Sequence, residues 1–445
     1  MILGKDVGHF TKQRIHRGAL SKMTKKINYF VAGLLLSGAL CSSVSASTQA
    51  QAPTLKISGY TIVNAAMANQ QRTDNGMGGS DPHIAIGASD LYFTITGKAS
   101  SGLEYKYRIN FEAIPGASFY INRNYIEFNG NFGTIQAGNL KGPEDAMPES
   151  GMDLIGGANG IDGTLGSVYN FSAGVIDGVN FIGETNKATK VVFYSPTVMG
   201  FQLGFALTPN TSHMGKDPRN NATLGAAAGN GNSKGIFPDK ANMPYGTRNM
   251  VLGLTYSGSA DKWSWSLAVV GMTERSHLTL KGSQEQYPVN NANSYQLSAA
   301  VGYDQWRIAA GWIDNGKSRI PKKTIATGEG AKLGDTHLGN AGKAWNVGAS
   351  YTVGAYQFAT TYHRTDRKTD GTNTANSDIV VATVDFSALQ GLKFFGEVDF
   401  VKTRTNNKTV EMHQKFLNDT KKDQNTKAVG SNSGTVFMVG SKVSF

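Results

Sequence analysis

One cysteine, Cys41, stands in 445 residues, and it falls in a segment expected to be cut away. That excludes a disulfide scaffold and thiol chemistry, so stability has to come from backbone pairing and burial. Gly38-Ala-Leu-Cys41 is a poor lipidation signal, because Leu is too bulky directly before the cysteine. Long apolar runs are also missing. Beyond the N-terminal segment no stretch of about 18 apolar residues exists, which excludes a membrane-spanning helix. The eight His are scattered, and none pair with the H-E-x-x-H spacing of a helical zinc site. There is no Walker loop and no G-x-S-x-G. No basic run resembles a nucleic-acid arm, so no nucleic-acid partner is expected. No cofactor is predicted, and a structural calcium is neither required nor excluded.

The N-terminus sets the compartment. Met23-Thr-Lys-Lys-Ile-Asn-Tyr is a short basic stretch, Tyr29–Leu40 is apolar, and Val44-Ser-Ala46 is a small-x-small cleavage site. Residues 23–46 therefore read as a cleaved signal peptide and 1–22 as an upstream extension, with one domain over 47–445. The leader takes seven Lys/Arg and one acid with it. The formal charge then falls from +11 to about +5, with 36 basic residues against 31 acidic.

What is present is alternation. The chain is 40% hydrophobic, yet holds 54 Gly, 17 Tyr and 21 Phe. Leu103, Tyr105, Tyr107, Ile109 and Phe111 alternate with Glu104, Lys106, Arg108, Asn110 and Glu112. Trp263, Trp265, Leu267 and Val269 alternate with Ser264, Ser266, Ala268 and Val270. Such a period of two makes strands with one dry face and one wetter face. Strands are expected near 55–68, 84–98, 103–113, 120–130, 134–141, 188–195, 200–208, 248–256, 263–273, 294–303, 306–314, 343–352, 355–364, 378–386, 391–401 and 434–445. Sixteen is even, as closure with both ends on one side requires. In the last strand Phe437, Val439, Val443 and Phe445 share one parity, which suits a strand that closes a membrane barrel.

The connections alternate as well. Short turns at 99–102, 131–133, 196–199, 257–262, 304–305, 353–354 and 387–390 are separated mostly by long connections, notably 142–187, 209–247, 315–342 and 402–433. A soluble sandwich has no need of this asymmetry, and loops this long are a liability to it. Tyr256, Trp263, Tyr303, Trp306, Tyr351 and Tyr356 gather at short-turn ends, and Trp312, Trp345 and Tyr362 at long-loop ends. Pairs such as Trp306 and Trp312 lie about 20 Å apart along a strand, close to the spacing of two interfacial girdles. All five Trp fall in strands nine to twelve. The Trp-free first five strands, with small outward residues Gly59, Thr61 and Ala65 in strand one, read as a protein–protein interface.

Three segments carry a family likeness: Asn131-Phe-Gly-Thr-Ile-Gln-Ala-Gly138, Phe193-Tyr-Ser-Pro-Thr-Val-Met-Gly-Phe201, and the closing strand ending in Phe445. In this order the chain resembles the general trimeric porins of the Gram-negative outer membrane, over essentially all of 54–445. The resemblance implies an all-β, 16-stranded antiparallel transmembrane β-barrel with short periplasmic turns and long external loops. It also implies a homotrimer, and a third loop folded into the lumen. One departure is Asn139, where many relatives place an inward Arg.

For the pore, the resemblance puts the acidic side of the constriction on the third loop, at Glu144, Asp145, Glu149 and Asp153. The basic side is expected on the wall: Lys106 and Arg108 share the lumen parity of strand three and Arg123 that of strand four. Lys141 on strand five and Arg307 on strand eleven are further candidates. If the hairpin pairs symmetrically, Arg108 lies opposite Arg123, and like charges so placed are destabilising without a functional reason. Selectivity needs such charges close together, since salt screens a wide pore within about 8 Å. The basic connection 402–433 is suited to lie near lipopolysaccharide phosphates at the bilayer surface. The function expected is passive diffusion of ions and small hydrophilic solutes, without enzymatic chemistry. The alternatives are a substrate-specific channel, or a barrel acting as surface adhesin or receptor. A barrel lipase built on inward His363 lacks a supporting arrangement.

Overall fold

The computed structural model describes residues 50–70, 82–113, 120–160, 163, 165–169, 185, 188–211, 245–279, 286–322, 324–325, 333–334, 339–368, 374–405 and 431–445. The expected upstream extension and signal peptide lie outside these residues, as does most of the basic connection 402–433.

Sixteen long strands follow in order: β1 (Gln51–Gln70), β2 (His83–Lys98), β3 (Glu104–Glu112), β4 (Tyr120–Gly130), β5 (Gly133–Asn139), β6 (Thr189–Tyr194), β7 (Phe201–Asn210) and β8 (Tyr245–Ala260). The second half is β9 (Trp263–Thr279), β10 (Ala292–Tyr303), β11 (Trp306–Asp314), β12 (Lys343–Val353), β13 (Tyr356–Lys368), β14 (Thr374–Leu389), β15 (Leu392–Thr405) and β16 (Asn432–Ser444). Each pairs antiparallel with its neighbours in sequence, and β1 pairs with both β2 and β16, so the sheet closes. At the seam Gly59 N–H donates to the Phe445 carbonyl at 3.1 Å, and Phe445 N–H to the Gly59 carbonyl at 3.0 Å. The Phe445 ring covers Gly59: a Cβ there would stand 2.9 Å from the ring. The aromatic shields the bare backbone of a glycine that must stay bare.

All sixteen expected strands are present, and several run longer. The turn expected at 257–262 shrinks to Asp261-Lys262, because Ser257–Ala260 continue to pair with Trp263–Ser266. Asp261 takes the left-handed conformation, φ 51°, that a two-residue hairpin turn needs.

Burial is inverted relative to a soluble protein. On β9 the outward Leu267 and Val269 are 50% and 55% exposed, whereas inward Ala268 and Val270 are 4% and 1%. The same parity recurs around the barrel. An apolar exterior this continuous is soluble only against lipid. The girdles form as cross-strand ring pairs. Trp263–Tyr303, Trp306–Tyr351 and Phe201–Tyr256 meet as tilted pairs at 4.6–4.7 Å at the short-turn end, and Trp345–Tyr362 edge to face at 5.1 Å at the other. The packed core lies not between two sheets but between the inner wall and the connection from β5 to β6. Met152, Ile155 and Leu165 of that connection join inward Val381, Phe395 and Met438 of the wall.

Candidate functional site

Between β5 and β6 the chain enters the lumen and runs along the inner wall. It contains a short helix α1 (Pro143–Ala146), a 3-10 turn (Gly151–Leu154) and a second short helix α2 (Leu165–Val168). Backbone groups of this loop are tied to one strand after another. Glu149 N–H donates to Ser298 Oγ of β10 at 3.0 Å, and Gly151 N–H to Asn346 Oδ1 of β12 at 2.7 Å. The Thr361 hydroxyl of β13 donates to the Gly151 carbonyl. Gly157 N–H reaches Asp385 of β14 at 3.1 Å. Ala158 and Gly160 N–H both reach Glu397 of β15, at 2.8 and 3.1 Å. Gln70 of β1 then donates to the Val168 carbonyl at 2.9 Å. The approach is close enough to require glycine: a Cβ on Gly151 would stand 2.4 Å from the Gly348 backbone nitrogen.

Glu397 is the firmest of these anchors, since it is 2% exposed and takes two backbone N–H groups. Replacing it leaves two buried donors without an acceptor, at about 1–3 kcal/mol each. It also removes a carboxylate that sits one inward position from buried Asp399, so the barrel itself loses little. Glu397→Ala is therefore expected to loosen the loop without a matching fall in melting temperature. Single-channel traces should gain open-state fluctuations; quiet traces identical to wild type would refute the anchor.

The loop is tied to the far wall, and a cavity of about 730 Å³ opens between it and the wall of β2 to β5, with Gln202, Ser257 and Ser266 of β7 to β9 closing its side. Arg108, Arg123, Tyr92, Lys141 and Glu149 are among its lining residues. The nine expected site residues divide as follows. Arg108 and Arg123 line the cavity, but not directly opposite each other. Arg108 pairs with Tyr125, and Arg123 with Asn110; a bulge at Asn122 next to these pairs shifts the register by one residue. The two guanidinium groups are diagonal neighbours, which removes the direct like-charge clash. Lys106 is tied to Glu127 of β4 at 2.7 Å. Lys141 is not on a strand: β5 ends at Asn139, and Lys141 bridges to Asp145 one helical turn on. Arg307 lies on the far wall and holds Glu149.

The four loop acids are largely occupied. Asp145 has Lys141, and burial pushes its pKa up, with Glu144 adding to the effect. Glu144 is buried and accepts from the Thr185 hydroxyl at 3.0 Å. Asp153 faces solvent but accepts from the Ser150 N–H at 2.7 Å and caps the 3-10 turn. Burial works against a charged Glu149, but the Arg307 guanidinium and the Ser266 hydroxyl hold its carboxyl below the usual range. The expected field of loop acids against wall cations is thus largely spent on local pairs, and Arg108 and Arg123 remain turned to the cavity.

Sequence reasoning missed Glu127, Tyr92 and the anchors Asn346, Asp385 and Glu397. Parity was the available signal, since each is a polar or aromatic group at a lumen position. His363 is fully buried, and its two ring nitrogens make no hydrogen bond among the described residues.

A family model described as Gram-negative porin matches residues 35–406. Among curated proteins, the chain is 25% identical over 244 residues to an uncharacterized protein of Rickettsia prowazekii and 26% identical over 244 residues to one of Rickettsia typhi. Both alignments cover 50% of this chain and 52% of the relative, so the chain spans about half the length of the curated relatives it matches. Among solved structures, an anion-selective porin from Comamonas acidovorans is similar at TM-score 0.51 and 15% identity, over 88% of this chain and 100% of that one. OmpT of Vibrio cholerae, an outer membrane protein solved in a trimer form, is similar at TM-score 0.51 and 10% identity over the same shares. These structural likenesses concern the fold.

Proposed function

The chain belongs to the Gram-negative porin family, and we propose that it is an outer-membrane diffusion channel for ions and small hydrophilic solutes with a preference for anions. The observation that carries this reading is the cavity between the inserted loop and β2–β5. It has Arg108 and Arg123 on its wall, while the nearby acids Glu127, Asp145 and Glu149 are each paired with a cation. A porin does no covalent chemistry, so its selectivity rests on fixed charge at a narrow place. A paired acid adds little net field a few ångströms away, and the Arg108 guanidinium, held on the Tyr92 ring, keeps its charge toward the cavity. The chain is then exported through a cleaved leader and assembles as a homotrimer. The Trp-free exterior of β1–β5 supports that assembly, and the trimer form of the Vibrio cholerae protein offers a parallel. The external loops face lipopolysaccharide.

An inserted loop that leaves a lumen supports a channel over a surface receptor. The test is single-channel conductance of the purified barrel in a planar bilayer under a salt gradient. Ohmic conductance in three equal steps, with a reversal potential on the anion side, is the expected result. No conductance from a folded barrel would refute the channel, and a cation-side potential would refute the assigned selectivity.

A further inference from the structure

A second group of cations lies below the constriction. On β15 and β16, Lys393 and Lys442 are paired directly opposite each other, both on lumen parity. Like charges so placed destabilise a sheet. Among the described residues the Lys393 ammonium pairs with Asp385, at 3.9 Å. The Lys442 ammonium lies instead over the Tyr60 ring of β1, 4.5 Å from its centroid. Tyr60 is 6.4 Å from the ring of Tyr92 on β2. Over Tyr92 lies the Arg108 guanidinium, 4.3 Å from the centroid. The register thus lays out a slanted row across four adjacent strands: Lys442, Tyr60, Tyr92, Arg108. Its upper end opens into the constriction cavity, and its lower end is near the short-turn rim, where Tyr60 pairs with Ser444.

Four other cations of the barrel interior are neutralised. Lys106, Lys141, Arg307 and Arg319 each sit on a carboxylate. Among the described residues neither Arg108 nor Lys442 forms an ion pair; each is held by a neutral ring. A tyrosine face fixes a cation in place through its quadrupole but does not cancel its charge. One acid faces both rings of the row: Asp90 accepts the Tyr92 hydroxyl at 2.9 Å and is the cross-strand partner of Tyr60. The phenol hydrogen occupies that carboxylate oxygen and leaves the ring faces to the cations.

Resting on the channel reading above, we infer that this row is a binding track for small planar anions, aryl carboxylates in particular, between the constriction and the short-turn mouth. The carboxylate is drawn by Arg108 and Lys442. The flat body stacks on the guanidinium plane or on a tyrosine ring, because guanidinium groups and aromatic rings both accept a π face. A saturated ring of equal charge has the wrong shape and no quadrupole. The track therefore separates solutes that charge alone would not.

The experiment is block of chloride current through the purified barrel by benzoate and by cyclohexanecarboxylate. Benzoate is expected to reach half-block at about twofold to fivefold lower concentration, the size of an exposed cation–π or stacking contact. In Tyr60→Leu/Tyr92→Leu the two anions should become equal, and in Tyr60→Phe/Tyr92→Phe, which keeps the rings, the difference should persist. Arg108→Gln should weaken block by both. Equal block in the wild-type channel, or a difference that survives the leucine variant, overturns the track while leaving the channel standing. No chloride current from a folded barrel removes the channel reading and the track with it.

Discussion

Replacing Arg108 and Arg123 together by Glu is expected to move the channel from anion to cation preference, with a roughly tenfold change in the chloride-to-potassium permeability ratio. At about 8 Å in water a unit charge is worth about 0.5 kcal/mol to a passing ion, and physiological salt cuts that by roughly a factor of three. Two reversals change the wall by four charge units, about 0.7 kcal/mol for the anion and as much in the opposite sense for the cation. Together these approach the 1.4 kcal/mol that equals a factor of ten. The effect should grow at low salt as screening weakens. The neighbouring groups do not offset it, because Lys106, Lys141 and Arg307 already have acidic partners. Bi-ionic reversal potentials provide the measurement. Values unchanged from wild type would show that neither arginine sets the field.

Arg319→Ala is expected to cost the barrel about 3–5 kcal/mol. Arg319 lies just beyond β11, at 2% exposure, and its guanidinium is bound to Glu274 of β9, itself 3% exposed. Its Nη2 donates to Glu274 Oε2 at 2.8 Å and to Thr211 Oγ1 at 3.2 Å. The Ser276 hydroxyl donates to Glu274 Oε1 at 2.9 Å, and Asn249 Nδ2 to Oε2 at 3.2 Å. Truncating the arginine strands a buried carboxylate, which is far more costly than replacing both partners. The double variant Arg319→Met/Glu274→Gln keeps a carbonyl acceptor for Asn249, lets the Ser276 hydroxyl turn to accept from the new amide, and buries no charge. It should recover most of the loss. Urea unfolding of the barrel in lipid vesicles reads both variants. A single variant as stable as wild type, or a double variant no better than the single, would show that the pair does not hold the loop base to the wall.

These results bear on what the constriction is made of. Counted along the sequence, the loop offers four acids and the chain five candidate cations. In the fold, Lys106 and Glu127, Lys141 and Asp145, and Arg307 and Glu149 become pairs. The proposed anion preference then rests on the arginines next to them. Tyr92 adds a second device, since a guanidinium held on a ring stays charged toward the lumen.

Much of the architecture could be read from the chain itself. Period-two alternation is a local property, because each strand residue points away from its neighbour whatever the rest of the sheet does. Strand number, the lumen parity of Arg108 and Arg123, the short-turn side and the aromatic girdles follow from it. Pairing across strands is not local. The β3–β4 register sets Arg108 against Tyr125 and not Arg123, with Asn122 bulged out of the ladder, and the separate β15–β16 register sets Lys393 against Lys442. The path of the third loop had no periodicity to announce it. It was fixed by backbone N–H groups finding Glu397, Asp385 and Asn346 on strands more than 190 residues away. Parity fixed which side chains face the water; closure of the barrel decided which of them meet, and so which charges survive to face the solute.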